Sequence, residues 1–151
     1  MKQIFHPIVR AVILQDGRVL VAQAKGADNT FLPGGHIEIG ENTKDALRRE
    51  LKEELGKSIL IHKYLGAMES EWTDSNYHHE ISHTFLCSFP DNEKSARPVS
   101  LEDHLDFFWI KPEEMASLNL LPKYYRELIP KAMNGEIEAV WNSSLAEKGG
   151  E

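Results

Sequence analysis

The chain has 151 residues, 41% hydrophobic and 27% charged, a composition that suits one soluble domain with its own core. Its formal net charge of −7 argues against binding to a nucleic-acid polymer or to anionic membranes, and no apolar run approaches the roughly 20 residues that span a bilayer. The first residues do not read as a signal peptide, and the single cysteine, Cys87, excludes an internal disulfide, so the expected compartment is the cytoplasm.

Residues 5–14 and 18–23 are rich in β-branched side chains, with Asp16-Gly17 between them as a hairpin signal. A loop over 25–30 leads into Phe31-Leu32-Pro33-Gly34-Gly35. A helix is expected over 43–55, with Asn42 as N-cap, Asp45 three residues on and Gly56 as the C-terminal stop. Strands follow at 59–66, 77–89 and 105–110. Pro112 opens a short helix, Pro122 a longer one to about Ala132, and 137–141 is a last strand. This order predicts one α/β domain over residues 1–144 with a mixed sheet, then a flexible tail over 145–151.

In the 43–55 helix, Leu47, Leu51 and Leu55 form one stripe. Glu54 falls at its edge, Glu50 next to it and Glu53 one step further. Like charges three and four residues apart cost a helix roughly 0.2–0.5 kcal/mol per pair, and the last turns already carry the negative end of the macrodipole. A solvated, charge-laced helix with Arg49 paired to Glu53 explains Glu53 but leaves Glu50 and Glu54 uncompensated. A hard divalent cation held by carboxylate oxygens would remove the repulsion. Spacing alone leaves these two readings balanced.

The wider stretch decides between them. From Gly35 the chain reads Gly-His-Ile-Glu-Ile-Gly-Glu-Asn-Thr-Lys-Asp-Ala-Leu-Arg-Arg-Glu-Leu-Lys-Glu-Glu-Leu-Gly. This resembles the Nudix box, with Gly35, Glu41, Arg49, Glu50, Leu51, Glu53, Glu54 and Gly56 in register. Lys57 departs from it, standing where an aliphatic residue is usual. Pro33-Gly34, Glu38, and Trp109 followed by a Pro-led helix also look like the family.

The resemblance implies an α/β/α sandwich in which the box is a loop–helix–loop. It implies that Glu50, Glu53 and Glu54, with the Gly35 carbonyl, hold Mg²⁺ or Mn²⁺. Arg49 would orient a glutamate, and Glu41 would support the loop. The implied activity is hydrolysis of a nucleoside-diphosphate-linked substrate, a small-molecule nucleotide, with water as nucleophile. Glu53 is the first candidate for general base, and Glu102 and Glu80 remain open. Arg10, Lys25, Gly34, Glu38 and Glu80 are candidates to meet the substrate. Many relatives pair, so a homodimer is compatible with the resemblance. A Nudix-like module that senses a nucleotide without cleaving it is the competing class, but such modules usually have a damaged box, and every carboxylate is intact here.

His79-Glu80-Ile81-Ser82-His83 matches the zinc-protease pattern H-E-x-x-H, which works only on a helix. The surrounding residues alternate with period 2 and read as a strand. There the two histidines would stand about 13 Å apart, with Glu80 on the opposite face. Gly56-Lys57-Ser58 lacks the earlier glycine and the preceding strand of a P-loop. An isoprenoid diphosphate isomerase would need a catalytic cysteine, and Cys87, in mid-strand, reads as a small buried hydrophobe. Phe107, Phe108 and Trp109 read as core, whereas Trp72 and Tyr77, flanking a polar loop, are better placed to stack on a base. The absence of a proline or tyrosine 15–18 residues beyond the box favours a nucleoside triphosphate among the family's substrates.

Overall fold

The computed structural model describes residues 1–136 and 138–143. Strands β1 (Gln3–Gln15) and β2 (Arg18–Ala24) form the opening hairpin. Its turn residues Asp16 and Gly17 take φ 51° and 73°, the paired positive angles that match a two-residue turn to the strand twist. The short strand β3 (Gly34–His36) precedes helix α1 (Thr43–Leu55). The Asn42 side chain accepts from the Asp45 N–H at 2.9 Å, and Gly56 ends the helix at φ 67°.

Strands β4 (Leu60–Thr73), β5 (Tyr77–Ser88) and β6 (Leu105–Ile110) follow, then helix α2 (Tyr125–Met133) and strand β7 (Val140–Ser143). β4 runs seven residues past its expected end at 66. Gly66 does not stop it but lets β7 approach, since a Cβ there would overlap the Val140 carbonyl. α2 starts at Tyr125 rather than at Pro122, because the Tyr125 N–H closes a turn onto the Pro122 carbonyl. The last strand begins at Val140, later than expected; residue 137 and the tail expected from 145 lie outside the described residues.

The sheet runs β6-β2-β1-β5-β4-β7, with β3 also on β1. It is mixed: β1 with β5 and β4 with β7 are parallel, the other pairs antiparallel. On one face α1 lays Ala46, Leu47, Leu51 and Leu55 over Val9, Ala11, Phe85 and Cys87. On the other, α2 lays Tyr125, Leu128 and Ile129 over Val12, Met68 and Leu86. Each buried large aliphatic stabilises this packing by roughly 1.5–3 kcal/mol. Phe107 and Trp109 pack on the α1 side and Phe108 on the α2 side.

The register decides which polar groups share a face. His6 pairs with Glu80 and Ile8 with Ser82 across β1 and β5, and Ser70 pairs with Glu80 and Trp72 with His78 across β4 and β5. All these side chains point to the α2 face. α2 covers only part of that face, and the polar row lies beyond it.

Candidate active site

Arg49 is the hub of the loop before α1. Its Nε and Nη2 donate to the two Glu41 oxygens at 2.8 and 2.9 Å, a bidentate pair that fixes orientation as well as charge. Nη2 also donates to the His36 carbonyl at 2.9 Å. Nη1 donates to Glu50 at 3.1 Å and to both Glu53 oxygens at 3.4 Å, and lies 3.9 Å from the exposed Glu38. The guanidinium holds the Glu41 carboxyl below the usual carboxylate range, and Glu41 in turn raises Arg49. The expectation that Glu50 goes uncompensated is corrected here. Arg49 reaches its sequence neighbour because both side chains bend toward the loop, where Gly35 leaves room.

That room is specific. A Cβ on Gly35 would overlap the Glu50 carboxylate, and one on Gly34, at φ 143°, would overlap the Val9 carbonyl. The two glycines thus let the loop backbone close onto β1 on one side and onto a carboxylate on the other.

Glu54 is different. It is only 7% exposed, and its carboxylate accepts a hydrogen bond from the Gly34 N–H. Burial, then the nearby Glu50 and Glu102, push its pKa up to about 8, against the pull of Arg10 and that hydrogen bond. Burial also raises Glu50, with Arg49 opposing. A hard cation suits this set chemically: acidic oxygens beside a side-chain-free backbone carbonyl. Among the described residues, no three carboxylate or imidazole groups already stand gathered as a ligand cluster. Glu50 and Glu53 are paired to Arg49 instead, so Arg49 and a cation would share them.

The structure separates the other two candidates for general base. Glu102 lies near enough to raise Glu54, and its segment is tied to α1 by the Leu101 N–H donating to the Glu54 carbonyl at 2.7 Å. Lys25, at the end of β2, lines a shallow depression with Glu102. Glu80 instead projects from the opposite face of the sheet. There it accepts from Ser70 and Ser82 at 3.1 Å each and lies 3.6 Å from Arg10. His79 and His83 point to the other side of β5, each with its own partner, Glu69 and Tyr64, so the protease pattern has no shared centre.

Glu80 belongs to a cavity of about 540 Å³ bounded by Arg10, Phe31, Leu32, Ser70, Trp72, Ser82 and Tyr125. Arg10 links it to the acidic cluster: it donates to the Leu32 carbonyl at 3.1 Å, lies over the Phe31 ring at 5.5 Å, and its charge acts on both Glu50 and Glu54.

Sequence reasoning did not find the histidines beside that cavity. His36, His6 and His78 are joined ring to ring at 2.8 Å, and His78 Nε2 meets Asp74 at 3.0 Å. With the carboxylate as terminal acceptor, each imidazole donates through Nε2, and His6 and His78 accept through Nδ1. The Trp72 indole lies parallel over His78, 4.7 Å away, and over His6 at 5.4 Å. Burial and the neighbouring imidazoles lower the pKa of His6. The one signal was the β5 alternation, but only the parallel pairing of β1 with β5 brings His6 to His78. Lys57, the departure from the box, donates to the Glu93 carbonyl at 2.8 Å and sits over the Phe89 ring at 5.7 Å. Its stem thus packs where an aliphatic residue would.

The NUDIX domain model matches residues 4–132, most of the chain. The chain is a Nudix hydrolase. As such it is an enzyme acting on pyrophosphate bonds. It is 31% identical over 129 residues to the nucleoside triphosphatase NudI of Escherichia fergusonii, covering 75% of this chain and 86% of that protein. It is 30% identical over 119 residues to the CTP pyrophosphohydrolase of Escherichia coli, covering 76% and 82%. The MutT protein of Bacillus halodurans shares the fold, with a TM-score of 0.69 at 17% identity over 91% of this chain and 88% of that one. No helix among the described residues of this Nudix hydrolase is long and apolar enough to cross a membrane.

Proposed function

We propose that this Nudix hydrolase cleaves the P–O–P linkage of a nucleoside-diphosphate-linked substrate, a nucleoside triphosphate first among them, with Mg²⁺ or Mn²⁺ as cofactor. The observation that carries the reading is the buried Glu54 carboxylate beside Glu50 and Glu102, which folding leaves short of positive charge. The relatives named as a nucleoside triphosphatase and a CTP pyrophosphohydrolase support the choice of substrate.

Glu50, Glu53, Glu54 and the Gly35 carbonyl would hold the cation. When bound it neutralises diphosphate oxygens and acidifies the attacking water. The chain's own residues do the rest. Arg49 positions Glu50 and Glu53 and locks the loop through Glu41. Glu53, more than half exposed and held by Arg49 at 3.4 Å, is the group that takes the proton of the water, with Glu102 next in line from the adjoining segment. Arg10, between the two acidic regions, faces the substrate from the cavity side. The P–O bond to the leaving phosphate breaks as the bond from water oxygen to phosphorus forms.

Purified protein with Mg²⁺ should hydrolyse members of a panel of nucleoside triphosphates, nucleotide sugars and dinucleotides. Glu53→Gln should lower the rate about 10²–10⁴-fold while the circular dichroism spectrum and melting curve stay native. A panel silent with both Mg²⁺ and Mn²⁺ would overturn the reading.

A further inference from the structure

The floor of the cavity carries an unusual expense: a carboxylate, Glu80, only 8% exposed. A glutamine or an apolar residue would avoid the desolvation of a charge. The sequence instead surrounds Glu80 with donors that hold it still. Ser70 donates to Oε2 and Ser82 to Oε1, each at 3.1 Å, and the Arg10 guanidinium stands 3.6 Å from Oε1. Both serines are themselves buried, on the strands either side of the pairing that presents Glu80.

A carboxylate is acceptor-only, with about two lone-pair sites on each oxygen. One hydroxyl on each oxygen leaves accepting capacity facing the cavity. Part of the wall is flat and aromatic: Phe31, with Arg10 over its ring, and Trp72, held parallel to His78. A planar heterocycle between such walls would present its edge to Glu80 and Arg10, an acceptor beside a donor.

We propose that Glu80 is the group that reads the nucleobase edge, and that it selects bases carrying an exocyclic amine (cytosine, adenine, guanine) against uracil and thymine. The amine donates to the carboxylate, and the acceptor ring nitrogen beside it (N3 of cytosine or guanine, N1 or N7 of adenine) accepts from the Arg10 side. Uracil and thymine offer a single N–H flanked by two carbonyls, so one carbonyl oxygen must face the anion. A site built to pair a donor leaves its buried acceptor unpaired when the ligand lacks that donor, and this is where binding sites discriminate most strongly.

This inference rests on the nucleotide reading above, and the test separates the two. The kcat/KM for CTP should exceed that for UTP by about tenfold or more. In Glu80→Gln the ratio should fall by about tenfold or more, because the amide can donate to the uracil carbonyl. Ser82→Ala, which frees the carboxylate without removing it, should lower the ratio by a few-fold. Calorimetry with the non-hydrolysable α,β-methylene analogues of CTP and UTP supplies the same ratio as relative Kd without turnover. Hydrolysis of both nucleotides with equal kcat/KM, or an unchanged ratio in Glu80→Gln, overturns the base-reading role and leaves pyrophosphohydrolysis standing. If Glu80→Gln melts early, the wild-type analogue ratio and Ser82→Ala decide. A protein that hydrolyses nothing yet binds the CTP analogue more tightly sinks the proposed activity and keeps the inference.

Discussion

The two faces of the sheet each carry a buried glutamate, and the two are solvated in opposite ways. Glu80, under the α2 side, has two hydroxyl donors and a nearby guanidinium. Glu54, on α1, has one backbone donor and two carboxylate neighbours, and burial pushes it up to about 8 even against the charge of Arg10. The first carboxylate is satisfied by the fold, as the proposed base-reading role requires. The second is tolerated by the fold and becomes comfortable only with added positive charge. Buried charge is thus a sign of function on both faces, and the inventory of donors around each says what should complete it.

Glu54→Gln should break this contrast most severely. Activity should fall by about 10²-fold or more as one cation ligand is lost, while the metal-free protein becomes more stable. The sign follows from linkage. The folded-state pKa of about 8 lies above the ordinary value of 4.5, so folded protein binds the proton more tightly between those values. The stability contributed by the neutral carboxyl is fully present below about pH 4.5 and is lost as pH rises through about 8. In EDTA, the wild-type melting temperature should therefore drop across this window, by up to a few kcal/mol of stability, and Glu54→Gln should flatten the drop. Mg²⁺ should restore wild-type stability at pH 8 and leave the variant unmoved. A variant less stable than wild type in EDTA at pH 8 would contradict the account of Glu54.

Arg49→Lys tests the loop that separates the two regions. Lysine keeps the charge but loses the fork that serves Glu41, His36 and Glu50 together. With its side chain 26% exposed, the loss should be about 1–3 kcal/mol in urea unfolding, with kcat falling more than KM rises. A KM effect alone would mean that Arg49 touches substrate rather than positions carboxylates.

The α1 face was far more legible in the sequence than the α2 face, for a physical reason. Helix 43–55 and its glutamates are local: the Asn42 cap, the leucine stripe and Gly56 all lie within one short stretch, and the turn at Asp16-Gly17 is equally local. The period-2 pattern at 77–89 gave the strand and disposed of the metal-binding histidine pair. The cavity depends on three strands meeting in one register, with Arg10 far along the chain from Ser70 and Glu80, which sit on successive strands, so no local pattern announced it. β3 was missed because Gly34-Gly35 is a poor strand sequence, held by pairing to β1. The end of β4 was misjudged because Gly66 reads as a break until β7 is placed against it.

Cys87 offers the smallest effect and a direct comparison of how tightly the faces are closed. It lies in β5 under α1, and burial pushes its thiol up to about 12. The native thiol should therefore be nearly inert to disulfide reagents, reacting only when α1 lifts from the sheet. If unpaired charge at Glu54 strains that docking, labelling in EDTA at pH 8 should be a few-fold faster than in Mg²⁺, and Glu54→Gln should slow it to the Mg²⁺ rate. A CTP analogue in the α2-side cavity should slow it much less than Mg²⁺ does. Equal protection by both ligands would mean that the sheet opens as one unit and that the two carboxylates, however differently solvated, are not independently poised.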